Sequence, residues 1–76
     1  MADNSPFLIY SSQSLGTAIK HYRSRAHISQ AELAERAGIN RSYLSGLEQG
    51  AETEYMRRLL RILRELGLRI SLEEAD

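Results

Sequence analysis

Residues 29–50 read SQAELAERAGINRSYLSGLEQG, and the caps in this stretch decide the fold. Glu32 stands three residues after Ser29, the spacing of a capping box. The Ser29 hydroxyl can accept from the Glu32 backbone N–H while the Glu32 side chain accepts from the N–H of Ser29. Leu33, Ala34 and Ala37 then line one face of the helix so started. Gly38 can take the left-handed conformation that ends it, and Ile39 is placed to fold back onto it. Asn40 caps a second helix with Leu44 and Leu47 inward and Arg41, Ser42, Ser45 and Gln49 outward. Gly50 ends that one. Two helices joined by a short turn containing Gly make a helix-turn-helix unit.

A helix fits the major groove of B-DNA, and its first residues reach the base edges. Here those are Arg41, Ser42 and Tyr43, with Ser45 one turn on. Arg41 can donate two bonds to guanine O6 and N7. Ser42 and Ser45 are short and can bond several bases, and Gly46 permits close approach.

The stretch from Ser29 to Gly50 resembles the helix-turn-helix of the Cro and lambda-repressor type, the XRE family, over roughly 60 of the 76 residues. Leu59 to Leu72, LLRILRELGLRISL, is also similar to the tail of HipB-type antitoxins. The resemblance implies an all-α domain of four to five helices. It implies that Gln30 and Gln49 contact the DNA backbone; beside it, Ser29, Arg25 and Tyr43 are further backbone candidates. It implies a partly buried salt bridge between Arg23 and Glu48. It also implies a repressor of its own operon that binds a HipA-type kinase toxin. The chain departs from the HipB pattern in having Glu54 where Pro is usual before the long helix. It also lacks the long C-terminal extension of some antitoxins. Two rivals stand beside this reading: a stand-alone phage-type or restriction-controller regulator, and a protein-interaction module that does not bind DNA.

Composition bounds the alternatives. Seventy-six residues make one domain with a modest core. There is no cysteine, so no disulfide or thiolate metal site is expected. His21 and His27 have no partner at ligand spacing. Nothing resembles a nucleophile elbow or a phosphate loop. No enzyme activity, metal or cofactor is therefore expected. No apolar run is long enough to span a membrane and no signal peptide is visible, so a cytoplasmic location is expected. The formal charge is zero. Without Glu73, Glu74 and Asp76 it would be +3, and residues 1–47 carry +2, a weak basic bias. The case for DNA therefore rests on the motif.

Taken in order, residues 1–11 form an N-terminal arm, 12–66 the DNA-binding domain, and 67–76 a dimerisation strand with an acidic tail. Met1–Pro6 is polar and expected to be mobile. Phe7–Tyr10 is a short apolar run that could be strand, helix lead-in or flap. Ser11, Ser12 and Ser14 are candidate caps for a first helix reaching Arg25, with Leu15, Ala18, Ile19 and Tyr22 inward and the Tyr22 hydroxyl at the surface. Ile28 is expected to be buried in the connector. Thr53 caps a helix from Glu54 to Leu66, closed by Gly67. Arg57, Arg61 and Arg64 share one stripe of it, with Arg58 beside them: a solvated face, or a contact for phosphate or an acidic partner.

On that last helix, Met56, Leu59, Leu60 and Leu63 make a core stripe, while Ile62 and Leu66 widen it beyond what one small core needs. Leu68 to Leu72 alternates apolar and polar as a strand does. An unpaired strand edge invites pairing. A second copy of residues 68–72 is the expected partner, because Phe7–Tyr10 is short and distant in sequence. The expectation is a two-fold homodimer through Ile62, Leu66, Leu68, Ile70 and Leu72. Its recognition helices would lie roughly 34 Å apart on double-stranded DNA with a near-palindromic operator.

Overall fold

The computed structural model describes residues 6–75. The mobile arm expected at Met1–Pro6 lies, for residues 1–5, outside them, as does Asp76 of the acidic tail. The order is β1 (Phe7–Ile9), α1 (Ser12–Arg25), α2 (Gln30–Ala37), α3 (Arg41–Glu48), α4 (Glu54–Glu65) and β2 (Ile70–Leu72).

Each helix begins at a polar cap. Ser29 and Glu32 form the reciprocal capping box, with Glu32 N–H to Ser29 Oγ at 3.1 Å and Ser29 N–H to Glu32 Oε1 at 3.1 Å. Ser11 and Ser14 make a second such box at the start of α1. Asn40 and Thr53 accept from the N–H groups of Ser42 and Met56. All four helices close in the same way. The N–H of the second residue past the end of α2, and of the third past the ends of α1, α3 and α4, bonds back to a carbonyl five residues earlier, at Ala34, Arg23, Gly46 and Leu63. That closure needs one left-handed residue. Gly38 supplies it after α2 with φ 70°, and His27, which is not a glycine, supplies it after α1 with φ 58°.

α1 packs chiefly on α3, and α2 on α3. The buried apolar side chains among the described residues are Ile9, Ala18, Ala34, Leu44 and Leu60, so the core is small. Gly16 sets how near α1 comes to α3: a Cβ there would collide with the Leu47 carbonyl oxygen. Ala37 and Ile39, expected to pack inward, are exposed, and Ile28 is only half-buried. α2 has two turns and buries only Ala34 fully.

The largest correction concerns the strands. β2 runs antiparallel to β1 of the same chain, with Phe7 opposite Leu72, Leu8 opposite Ser71 and Ile9 opposite Ile70. The fold is therefore mostly helical with a two-stranded sheet, and β2 has an in-chain partner. Sequence distance misled, because the helices fold both ends of the chain to one place. Leu68 and Arg69 stay outside the strand. The Tyr22 hydroxyl, expected at the surface, donates to the Leu72 carbonyl at 2.9 Å. The rings of Phe7, His21 and Tyr22 cluster with centroids 5.1–6.3 Å apart. This polar and aromatic seam fastens the sheet to α1.

Ile62 and Leu66 are 56% and 65% exposed, with Leu68 and Tyr55 exposed near them in sequence. The surplus apolar width of α4 thus faces solvent in the single chain.

Gly16→Ala tests the α1–α3 approach. Ala would gain about 0.5–1 kcal/mol of helix propensity, while overpacking costs about 1–3 kcal/mol. A lower urea midpoint with an unchanged m-value is expected.

Candidate nucleic-acid interface

Glu48, at the end of α3, receives three donors on one carboxylate. Arg23 Nε lies 2.7 Å from its Oε2, and Arg23 NH2 is 3.0 Å from Oε1. Gln30 Nε2 also donates to Oε1 at 3.0 Å. The remaining arm of the guanidinium donates to the Ile28 carbonyl at 3.0 Å, in the connector between α1 and α2. The two charged side chains are 14% and 3% exposed. The bonds from Arg23 and Gln30 hold the Glu48 pKa below the ordinary glutamate value, although burial alone would raise it. The same contact raises the Arg23 pKa against its own desolvation. One carboxylate therefore ties α1, α2 and the connector to α3.

That tie presents the outer side of α3. Gln30, Arg41, Ser42, Ser45, Gly46 and Gln49 line one open groove. The bonds within it fix what each group has left to offer. The Ser42 hydroxyl donates to Asn40 Oδ1, so its lone pairs remain as acceptors. Ser45 Oγ accepts from Gln49 Nε2 at 3.1 Å, so its proton remains to donate. Arg41 offers a bidentate guanidinium. Gly46 has no side chain to block the approach.

Of the residues singled out in the sequence, Arg41, Ser42, Ser45, Gln30 and Gln49 come together in this groove. Tyr43 is exposed but does not line it. Ser29 is engaged in its capping box. Arg25 pairs with Glu74 of the tail at 3.0 Å and does not line the groove either. Gln30 braces α3 through Glu48 at its end, whereas the family resemblance implies a brace at its start. No group of three or more His, Asp or Glu that could hold a metal occurs among the described residues. No described helix is long and apolar enough to cross a membrane.

Comparison with known proteins agrees with this geometry. A family model described as a helix-turn-helix domain matches residues 14–74. The HTH-type transcriptional regulator SinR of Bacillus subtilis (strain 168) is 46% identical over 39 residues, 51% of this chain and 35% of the relative. SinR of Bacillus licheniformis matches to the same extent. The match thus spans about a third of the length of these curated relatives. No solved structure matches the chain.

The ion pair makes a stability prediction. Arg23→Ala or Glu48→Ala alone should cost about 3–5 kcal/mol, because each strands a buried charge, and the double variant should cost less than the sum. Glu48 has a folded pKa below its unfolded value of about 4.3. Its contribution is fully present above that value and is lost as pH falls through the folded pKa. Urea melts from pH 7 down to strong acid should show the wild type losing stability below about pH 4.3, with the Glu48→Ala variant losing less.

Proposed function

The chain belongs to the XRE-type helix-turn-helix family, and from that premise we propose that it is a cytoplasmic, sequence-specific DNA-binding transcriptional repressor. The carrying observation is the groove itself. Five polar side chains of stated donor or acceptor character line one open face, and a buried carboxylate fixes the helix that bears most of them. α3 enters the major groove with Arg41, Ser42 and Ser45 at base edges, and Tyr43 at its margin. Gln30 and Gln49 meet backbone phosphates, each keeping an amide group not used in its protein bond. Ser29 sits at the α2 N-terminus, where a phosphate oxygen is favoured. Arg25 could join the backbone contacts only by leaving Glu74.

The working form is a homodimer. Ile62, Leu66 and Leu68 leave apolar surface in water that a second copy would cover, and a two-stranded sheet leaves one edge of β2, with Ile70 and Leu72, open to a symmetry mate. Residues 67–76 then serve as the dimerisation tail, with Phe7–Ile9 laid against it as β1. Two-fold symmetry asks for a near-palindromic operator. The likeness of Leu59–Leu72 to HipB-type tails supports an antitoxin role with a HipA-type kinase toxin as co-repressor. A neighbouring kinase gene whose product co-purifies with this chain would support that role, and its absence would favour a stand-alone regulator.

Arg41→Ala should weaken binding to a selected operator by about 1–3 kcal/mol and relax one base position. Selection from a random duplex pool, run with both proteins, checks this. Unchanged preference at every position would remove Arg41 from base reading. For the dimer, Leu66→Asp is a cleaner probe than Ile70→Asp, since Ile70 is half-buried inside the chain's own sheet. Sedimentation at micromolar concentration should give a wild-type dimer and a folded Leu66→Asp monomer. A wild-type monomer would contradict the dimer.

A further inference from the structure

Beside the reading groove, a second concavity of about 320 Å³ lies where the start of α1 meets α4. Its walls combine the α1 N-terminus at Ser11, Ser12 and Gln13 with Arg57, Arg61 and Arg64 of α4. Three features there favour an oxyanion. The N–H groups of Ser12 and Gln13 have no helical acceptor before them, and a helix of 14 residues adds its dipole. Arg61 and Arg64 make no ion pair among the described residues, whereas Arg57 lies a loose 3.9 Å from Glu54 and Arg58 takes that carboxylate at 2.7 Å. Ser12 is only 8% exposed, yet its hydroxyl has no hydrogen-bond partner among the described residues. A buried hydroxyl without a partner is costly, and Ser12 lines this concavity together with three arginines and one acid, Glu52.

We propose that this α1–α4 pocket is a phosphate-binding site, filled by a backbone phosphate of the same duplex that α3 reads. It rests on the DNA-binding reading above. Phosphate fits better than a single carboxylate, because the lining gathers main-chain amides, a hydroxyl and three guanidinium groups, and a tetrahedral oxyanion offers acceptors to more of these donors at once. The duplex is the favoured source because the two sites adjoin: Gln49 lines the reading groove, and the next residue, Gly50, lines this pocket. Gly50 also sits so close to Gln13 that a Cβ would lie 3.1 Å from the Gln13 backbone, which joins the end of α3 to the start of α1. Glu52 is the acid among the lining residues, and its removal should strengthen binding.

The test measures duplex affinity against salt for wild type, Arg61→Gln, Arg64→Gln and Ser12→Ala, on a selected operator and on unrelated DNA. Each arginine variant should weaken both duplexes by the same several-fold factor and lower the salt slope by about one. Ser12→Ala should melt higher than wild type, because it removes an unpartnered hydroxyl, and yet bind both duplexes more weakly. A purely structural Ser12 would not show that opposition. If wild type binds and the three variants match it in affinity and slope, the pocket proposal is overturned while the DNA reading stands. If wild type binds no duplex, the DNA reading fails, and inorganic phosphate then decides the pocket. Saturable shifts of the Ser12 and Gln13 amides, lost in Arg61→Gln, would keep the site with free phosphate as its source. No shift would overturn it.

Discussion

The contact between Arg23 and Glu48 governs how this chain holds its outer helix. Of the five buried apolar side chains, Ala18 and Ala34 are small, and so small a core constrains the rotation of a helix weakly. Glu48 supplies what that core lacks. Its carboxylate is bonded from α1 and from α2, and Arg23 extends the network to the connector at Ile28. Such a network is directional where apolar packing is not. It depends in turn on Gly16, because only a residue without a Cβ lets α1 come within reach of the end of α3. Desolvation works against both charges, so the pair confers definite geometry more than net stability.

The parts of this fold legible in the sequence are those written in local chemistry. The Ser29–Glu32 box, the Asn40 and Thr53 caps and the glycines after α2, α3 and α4 act within five residues of themselves, so helix ends can be read directly. Left-handed His27 escaped because nothing in its side chain marks it. The strand pair escaped for a different reason. Whether Leu68–Leu72 meets a second copy or Phe7–Tyr10 depends on where α1 and α4 deliver the chain ends, and no local pattern encodes that. The seam from Tyr22 to Leu72 and the pairing of Arg25 with Glu74 follow from the same delivery.

The candidate site divides likewise. The outward stripe of α3 follows from its period and cap, and Arg41, Ser42 and Ser45 do meet in one groove. Which hydroxyl keeps a proton to give does not follow, because it depends on Asn40 and Gln49 closing onto neighbours. A formal charge of zero conceals a similar local structure. Glu54 and Glu74 hold Arg58 and Arg25, and Lys20, Arg41, Arg61, Arg64 and Arg69 remain as cations without an ion pair among the described residues.

Glu48→Gln offers the most direct test that the buried carboxylate positions a DNA-reading helix, because two effects oppose each other in it. The substitution removes a negative charge near the groove, so electrostatics alone would tighten binding to any duplex. Loss of the carboxylate also loosens the hold of α1 and α2 on α3. With the fold verified by circular dichroism, affinities for a selected operator and for unrelated DNA should part. Operator binding should weaken while binding to unrelated DNA holds or rises. Equal tightening of both duplexes, or an operator affinity equal to wild type, would contradict the positioning role of the ion pair.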